Sequence, residues 1–399
     1  MTSPAGTTGV RSLPVPHPES FSSRLRSPAV AARVGLWLGL CFGICFLTGL
    51  VSHYAQEPSH PIPFPTSPSW GYRLTQGLHV TTGTAAIPLL LVKLWTVYPR
   101  LFERLPSGEL RRLRALLVTL LERASIAVLV AAAIFQLATG LMNSAQWYPW
   151  SFSFRSTHYA LAWVAIGALV VHIAVKLPVI RQALGGDVES SELDRPGATE
   201  QGVLSRRGLL RTTWVAAAVA VVATAGSTVP LLRRVSVLGV RSGEGPQGVP
   251  VNKSAEAAGI GEQQVGESYR LEVVGPSGTV RLSREELLAM PQHDEELPIA
   301  CVEGWSASGR WSGVRVRDLT ALAGATGGED VVVTSLQESG PFRVTTLQGN
   351  FVDDDRTLLA LGLAGEPLDL DHGFPCRVIA PNRPGVLQTK WVARLEVQA

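Results

Sequence analysis

A cysteine that follows an apolar, strand-like run is the strongest chemical signal in the sequence. The run Ile299-Ala300-Cys301 leads into Val302-Glu303-Gly304-Trp305, a short loop containing a glycine and a tryptophan. A thiolate is a soft ligand for transition metals, and the strand before it would fix the sulfur while the loop leaves it open in front. Glu303 follows closely enough to act as an acid or base, or it is simply solvated. The alternative for Cys301 is a buried structural cysteine, since free cysteines are among the most buried residues.

A second stretch, late in the chain, carries cationic and aromatic residues between prolines and glycines. It reads Asp371-His372-Gly373-Phe374-Pro375-Cys376-Arg377, then Pro381-Asn382-Arg383-Pro384, then Thr389-Lys390-Trp391. Cationic donors at such positions suit a phosphate or another anion. Each also has an ordinary interpretation: Arg377 on a strand facing solvent, Lys390 on the surface, and Cys376 in the core. Asn382 and Arg383 lie in a loop that faces either a cofactor or a substrate.

Together the two stretches resemble the molybdopterin-binding domain of the sulfite oxidase superfamily. The resemblance is closer to its bacterial exported branch, which includes the periplasmic methionine-sulfoxide reductase catalytic subunits, and it covers roughly residues 240–399. It implies that Cys301 ligates molybdenum, that His372, Arg377 and Lys390 contact the pterin, and that Trp391 packs nearby. Beside these, Glu303 and Arg383 are candidates for catalysis on a small-molecule substrate, and Trp305 and Asn382 are candidates for cofactor binding.

One departure from the family pattern concerns the substrate. Animal and plant sulfite oxidases follow the cysteine with Gly-Asn-Arg-Arg, whose arginines hold the anionic substrate. Here the cysteine is followed by Val302-Glu303-Gly304-Trp305. The sequence therefore gives no support for sulfite as the substrate.

The composition indicates a membrane protein with more than one domain. The chain has 399 residues, of which 46% are hydrophobic, and this length accommodates two or three domains. Four cysteines, two of them inside an apolar run, do not form a disulfide framework. The net charge is only +3, and no basic surface interleaved with aromatic residues points to nucleic acid.

Five apolar segments are long enough to span a bilayer, for which about 20 helical residues are needed. They predict an all-α transmembrane bundle followed by an α+β, strand-dominated molybdopterin domain. The predicted division is a disordered cytoplasmic leader (1–33), a four-span membrane domain (34–180), a cytoplasmic linker (181–212), a fifth span (213–232) and the exported domain (240–399). Within the exported domain, Val316–Ala323 and Thr357–Leu363 look helical, and most other apolar runs look like strands.

The distribution of Lys and Arg predicts the orientation in the plasma membrane. The leader and the second and fourth connections carry many basic residues, whereas the two opposite loops have only Arg73 and Arg155. Cytoplasmic loops are enriched in Lys and Arg, so the N-terminus is predicted to be cytoplasmic and the C-terminal domain extracytoplasmic.

Ser205-Arg206-Arg207-Gly208-Leu209-Leu210, just before the fifth span, resembles a twin-arginine export motif. That system moves folded cargo, which suits a domain that receives its cofactor before export. The alternative is that the two arginines are ordinary charges at a cytoplasmic span edge.

Four histidines lie within or at the ends of the first four spans: His53, His79, His158 and His172. Polar groups in a membrane are costly and often functional. The predicted orientation places the first three on the outer side of the membrane. The simplest arrangement is therefore one outer b-type haem ligated by His79 and His158, with His53 as an alternative ligand. His172 would serve a second, deeper haem or line a quinone pocket.

These signals lead to three hypotheses. The first is a membrane-bound molybdenum oxidoreductase whose b-type haem exchanges electrons with the quinone pool. The second keeps the molybdenum domain on a haem-free membrane anchor. The third is a membrane sensor or binding protein without catalysis, which an intact Cys301 disfavours.

Overall fold

The computed structural model describes residues 20–57, 62–102, 110–239 and 245–398. Among these residues, five helices are long and apolar enough to cross a bilayer, by length and composition. This confirms the predicted helical region with five spans. The helices are α1 (Pro28–Gln56), α2 (Gly71–Val97), α3 (Leu110–Ser144), α4 (Phe154–Gly185) and α5 (Arg206–Thr224).

Helix α5 begins at Arg206, earlier than the predicted span start at Thr213. The Arg206 side chain is buried and forms an ion pair with Asp194. Its guanidinium also donates to the Arg24 carbonyl oxygen at 3.1 Å. Arg207, by contrast, is exposed and pairs with Asp187 at 3.0 Å. Both arginines therefore connect the start of the helix to the polar segment before it, but the Arg206 side chain does so from a buried position and the Arg207 side chain from an exposed one.

The chain divides into two compact units, and the division falls within the long helices. One unit comprises the described parts of residues 1–39, 88–130 and 167–216. The other comprises those of residues 40–87, 131–166 and 217–399, so it contains a part of each of α1 to α5 together with the described residues of the C-terminal domain. The site described below lies within this second unit.

The C-terminal domain contains two sheets. The first has the strand order β2-β1-β10-β5-β6, in which β1 and β10 are parallel and the other neighbours antiparallel. Alternate residues such as Leu271, Val273, Val331 and Val333 are fully buried, which is the period-two pattern of a strand with one face on the core. The strands are β1 (Leu271–Gly275), β2 (Gly278–Leu282), β5 (Val331–Ser335), β6 (Val344–Leu347) and β10 (Val392–Val397).

The second sheet has the strand order β3-β4-β7-β8, and β9 also pairs with β7. All of these pairings are antiparallel. The strands are β3 (His293–Ala300), β4 (Ser306–Arg315), β7 (Leu358–Leu363), β8 (Glu366–Pro367) and β9 (Arg377–Ile379). Two short helices, α6 (Ala255–Ala258) and α7 (Glu262–Val265), precede β1, and three more connect strands: α8 (Arg284–Ala289), α9 (Val316–Leu322) and α10 (Gly349–Val352). This confirms the predicted mixed α and β domain.

One predicted element was wrong. Thr357–Leu363 was expected to be helical, but Leu358–Leu363 forms β7, the central strand of the second sheet. Every residue of β7 is buried, so the strand is apolar on both faces and shows no alternation. A short continuous apolar run of this kind cannot be told from a buried helix by periodicity.

The C-terminal domain rests on the segment that leads into α2. Phe64 and Tyr72 belong to the same buried cluster as Leu271, Val333 and other core residues of the first sheet. The polar contacts between the same parts are specific: Asn350 Nδ2 donates to the Phe64 carbonyl oxygen at 2.8 Å, and Arg73 donates to Ser308 Oγ at 3.0 Å. The domain core therefore continues into the end of the helical bundle.

Candidate active site and histidine cavity

Cys301 lies in the connection between β3 and β4, immediately after the last residue of β3. Its backbone N–H donates to the Trp305 carbonyl oxygen at 2.9 Å, and the Gly304 N–H donates back to the Cys301 carbonyl oxygen at 3.0 Å. Gly304 has φ 86°, a left-handed conformation that favours glycine. The hairpin and this tight turn fix the cysteine in one buried position.

A carboxylate lies beside the Cys301 sulfur. The thiol donates to Glu303 Oε2 at 3.7 Å, and the same oxygen accepts from Trp305 Nε1 at 3.2 Å. Burial, followed by the Glu303 charge, raises the pKa of the Cys301 thiol well above its usual value. Without a metal the sulfur is therefore held as a thiol, and a cationic metal at this position would favour the thiolate instead.

Three further predicted residues, Arg377, Arg383 and Lys390, are buried cations. Their side chains donate to backbone carbonyl oxygens of His372, Gln388, Leu387, Thr346, Lys253 and Asp371. Within the parts of the chain that the structure describes, none of the three forms an ion pair with a carboxylate, and Arg377 Nε has no hydrogen-bond partner. Burial lowers the pKa of Arg377 and Arg383 to about 9 and that of Lys390 to about 7.

Buried charges are normally paired, so these three cations without a carboxylate partner fit an anionic ligand. Arg377 and Lys390 flank Gly373, where an added Cβ would lie 3.2 and 3.0 Å from their respective Cβ atoms. A phosphate group matches this charge and these donors. The residues present therefore fit the phosphate-bearing pterin that the sequence predicted.

His372 and Trp391 complete this region of the domain. His372 is buried, and its Nε2 lies 2.6 Å from the Pro246 carbonyl oxygen. Burial lowers the pKa of His372 to about 4, so the imidazole is neutral and donates to that carbonyl. The indole nitrogen of the buried Trp391 donates to the Leu370 carbonyl oxygen at 2.8 Å. Both rings are fixed by backbone partners.

Asn382 faces the start of α2. Its Oδ1 accepts from the Tyr72 backbone N–H at 2.5 Å, and its Nδ2 donates to the Pro65 carbonyl oxygen at 2.7 Å. Its own N–H donates to the Ser69 carbonyl oxygen at 3.2 Å. Both side-chain polar atoms of Asn382 are thus engaged in attaching the domain to the helical bundle.

His79 of α2 and His158 of α4 face each other in the helical bundle. Their ring centroids are 6.2 Å apart, and the ring planes are inclined by 62°. Metal–imidazole bonds of about 2 Å place two imidazoles on opposite sides of one metal ion with centroids roughly 6 Å apart. The observed separation therefore fits a single metal centre held between the two rings.

A threonine hydroxyl orients each of these imidazoles. Thr48 Oγ1 and Thr139 Oγ1 each lie 3.0 Å from the Nδ1 of His79 and His158, respectively. Each hydroxyl donates its hydrogen to a backbone carbonyl of its own helix, at 2.6 Å for Thr48 and 2.8 Å for Thr139. The hydroxyl oxygen must then accept from Nδ1–H, which leaves both Nε2 lone pairs free to bind a metal.

The two histidines line a cavity of about 280 Å³. This is near the lower end of the ~300–1,000 Å³ that cofactor pockets occupy. His53 also lines the cavity and stacks on Tyr159 with centroids 3.7 Å apart. His172 belongs to the other compact unit and is not among the lining residues. Of the four predicted histidines, the structure brings together His79 and His158, with His53 nearby.

The Cys301 loop contributes one residue to the lining of this cavity. Val302, the residue after Cys301, lines it, and the Val302 carbonyl oxygen accepts from Asn143 Nδ2 of α3 at 2.8 Å. Gln146 Nε2 donates to Glu303 Oε2 at 2.8 Å, and Thr228 Oγ1 donates to the Gly304 carbonyl oxygen. Three consecutive residues of the loop are thus hydrogen-bonded to the ends of membrane segments.

The sequence analysis did not identify the residues that orient the two imidazoles or those that hold the Cys301 loop. Thr48 and Thr139 are polar residues inside apolar spans, and that contrast was a usable signal. Asn143, Gln146 and Thr228 follow or end apolar segments, where polar residues are ordinary. No sequence signal marked them.

The match to a family model agrees with the geometry of the C-terminal domain. Residues 258–399 match the family model of the oxidoreductase molybdopterin-binding domain. Mitochondrial sulfite oxidase of Rattus norvegicus is 28% identical over 161 residues, covering 33% of this chain and 30% of that protein. YedZ1 of Azospira oryzae, whose name assigns it to the protein-methionine-sulfoxide reductase subunits, is 33% identical over 131 residues.

The YedZ1 match covers 33% of this chain and 49% of that protein, so the chain spans less than half the length of either relative. Among solved structures, the sulfane dehydrogenase SoxCD from Paracoccus pantotrophus is 24% identical with a TM-score of 0.31, covering 33% of this chain and 38% of that one. On the family model and the relatives, the C-terminal third is thus similar to the molybdopterin-binding oxidoreductase domain of sulfite oxidases.

The low pKa of Lys390 predicts how the cofactor-free protein responds to pH. Its folded pKa of about 7 lies below the ~10.4 of an unfolded lysine, so the unfolded chain binds more protons between these values. Stability should therefore rise as the pH increases from 7 to 9, by at most about 3 kcal/mol from this group. Thermal melting monitored by tryptophan fluorescence should show this rise in the wild type and a smaller one in Lys390→Met. Lys253→Met, which keeps Lys390, is the control, and equal slopes in all three proteins would contradict the prediction.

Proposed function

We propose that this protein is a membrane-bound, molybdopterin-dependent oxidoreductase that transfers oxygen atoms at a Cys301-ligated molybdenum. Its electrons pass between that site and the quinone pool through a b-type haem held by His79 and His158. The observation that carries this proposal is the position of the Cys301 loop, because Val302, the residue after Cys301, lines the cavity that both histidines line. Two redox centres in one chain are useful if electrons can pass between them, and a metal bound by Cys301 would then lie next to a residue that lines the histidine cavity.

In the C-terminal domain, Cys301 would be the protein ligand to molybdenum, and Arg377 and Lys390 would neutralise the anionic part of the pterin. His372, Trp305 and Trp391 would shape the pocket. When bound, the cofactor supplies a metal that exchanges two electrons while an oxygen atom moves to or from the substrate. The protein binds and orients it, and the hairpin turn keeps the sulfur in place.

Two residues would act on the substrate rather than the cofactor. The Glu303 carboxylate lies 3.7 Å from the sulfur and is held by Trp305 and Gln146, so it can accept or donate a proton at a fixed position. Its negative charge disfavours an anionic substrate such as sulfite. The buried Arg383 would provide a fixed positive charge. The carboxylate beside the sulfur favours an uncharged oxygen donor or acceptor as the substrate.

In the membrane domain, His79 and His158 would ligate the haem iron through their free Nε2 atoms, as electron-transfer haems with two histidine ligands require. The same chain with a haem-free cavity would instead be an anchored molybdenum enzyme. The haem determination described below separates these two functions.

For localisation, we propose a multi-pass plasma-membrane protein with a cytoplasmic N-terminus and an extracytoplasmic catalytic domain. The excess of Lys and Arg in alternate connections supports this orientation. Arg206 and Arg207 would be read by the twin-arginine export machinery before α5 inserts.

The role of Cys301 can be tested by replacing it with serine. Cys301→Ser should give a folded, membrane-inserted protein that has lost molybdenum and oxygen-atom transfer, because a hydroxyl replaces the thiolate poorly. The loss of activity should exceed the ~10–100-fold typical of changes outside the ligand set. Metal analysis and dye-linked assays with a panel of oxygen donors measure both effects. Cys376→Ser is the matched control, since Cys376 is buried beside the Tyr269 hydroxyl, and similar results for the two variants would refute the assignment.

The haem ligands can be tested by spectroscopy. His79→Ala and His158→Ala should each abolish the α-band of a reduced b-type haem, because either change removes one iron ligand. Both variants should retain dye-linked activity at the C-terminal domain but lose electron exchange with a quinone analogue. His172→Ala should keep the band. A wild-type protein that contains no haem, although haem was supplied during expression, would rule out the conduit and favour the anchored enzyme.

Export can be tested with a protease-protection assay on spheroplasts. Changing Arg206 and Arg207 together to lysine should leave residues 240–399 on the cytoplasmic side while the first four spans still insert. Because Arg206 is also a structural residue, Asp194→Asn serves as a control that removes its ion-pair partner and keeps both arginines. Unchanged exposure of the domain in the double variant, or the same retention in Asp194→Asn, would show that the arginines are not an export signal.

A further inference from the structure

The histidine cavity is polar at one end and apolar at the other. Ser52 and Gln56 of α1, Gln76 of α2 and Arg155 of α4 line the end nearest the C-terminal domain. Further along the same helices the lining is apolar, with Phe42, Phe46, Ile87 and Ile166. The cavity therefore matches a ligand that is apolar over most of its surface and polar along one edge.

Arg155 gives the polar end a positive charge. Its Nη1 donates to Gln56 Oε1 at 2.8 Å, and its guanidinium lies 5.3 Å from the centre of the Phe342 ring. In the described ranges it forms no ion pair. The planar guanidinium of an arginine can bind a carboxylate through two parallel hydrogen bonds.

The charge is close to the metal-binding imidazoles. Arg155 precedes His158 by three residues on α4, so the two side chains lie on neighbouring positions of one helix face, about 4.5 Å apart along the axis. A ligand that lies between His79 and His158 thus has its nearest fixed positive charge at one end of the cavity. Gln56 lies at the same end, where it already contacts the guanidinium.

We propose that Arg155 binds the carboxylates of the haem, which therefore lies with its propionate edge toward the C-terminal domain and its apolar edge toward the membrane interior. This inference rests on the proposed haem. It assigns to Arg155 a positioning role: it fixes the orientation of the ring and raises the reduction potential of the iron. The positive charge has this effect because it disfavours the more positive oxidised iron.

Arg155 is also exposed, so its charge could instead serve a lipid phosphate at the membrane surface. A lipid headgroup and a haem propionate offer the same chemistry, an anionic oxygen for a guanidinium. The two sources differ in one measurable respect: only the propionate couples Arg155 to haem affinity and to the haem potential.

The test compares haem binding and redox titrations of the full-length protein in detergent. Arg155→Gln should bind haem on the order of tenfold more weakly, as loss of a charged hydrogen bond implies, and should show a lower midpoint potential. Arg155→Lys keeps the charge and should stay close to the wild type in potential. Arg73→Gln is the matched control, since Arg73 lies in the first turn of α2, as Arg155 lies in the first turn of α4, and does not line the cavity.

A second measurement changes the ligand instead of the protein. Haem dimethyl ester, which lacks the carboxylate charges, should bind the wild type more weakly than haem does, and should lose little further affinity in Arg155→Gln. Equal binding of the ester and haem by the wild type, or an unchanged potential in Arg155→Gln, would overturn the role of Arg155 while leaving the haem itself in place. A wild type that binds no haem would instead refute the proposed function.

Discussion

The hydrogen bond from Asn143 Nδ2 to the Val302 carbonyl oxygen connects the helical bundle to the C-terminal domain. Asn143 lies near the end of a membrane helix, and Val302 follows the cysteine of a β-hairpin. The Tyr148 hydroxyl donates to Asn143 Oδ1 at 3.2 Å, which fixes the orientation of the amide. Because Gln146 and Thr228 hold the next two residues of the same loop, the cysteine cannot change position without breaking contacts with the membrane helices.

The buried cations impose a second constraint on the C-terminal domain. Arg377, Arg383 and Lys390 are 3%, 4% and 9% exposed, and backbone carbonyls are neutral partners that do not cancel their charges. Burying unpaired charges costs free energy, so these three cations destabilise the folded domain when no anion is bound. An anionic ligand would remove that cost, and its binding energy would then also stabilise the fold.

Much of this architecture could be predicted from the sequence because its signals are local. Long apolar runs gave the five helices, and the cysteine loop together with the HGFP and KW segments identified the C-terminal domain. The sequence also paired His79 with His158, and their rings are neighbours in the structure. β7 was misassigned because a strand buried on both faces loses the alternation that identifies a strand.

The contacts that join the domain to the bundle could not be predicted, because they link residues far apart in sequence. Asn382 shows the difficulty: its place between two prolines in the pterin motif suggested a cofactor contact, whereas its side chain binds Pro65 and Tyr72. Only the folded arrangement brings a loop at residue 382 against the start of a helix at residue 71. Hydrogen bonds of this kind produce no periodic pattern in the sequence of either segment.

Helix α3 links the two ends of the proposed electron path. Thr139 orients His158, and Asn143, one helical turn later, holds the carbonyl of Val302. Since residues four apart lie on the same face of a helix, one rigid element sets both the imidazole and the cysteine loop. A shift of α3 would therefore move the loop and the imidazole together and preserve their separation. Electron transfer depends steeply on distance, so a shared helix is a more reliable spacer than two independently mobile loops.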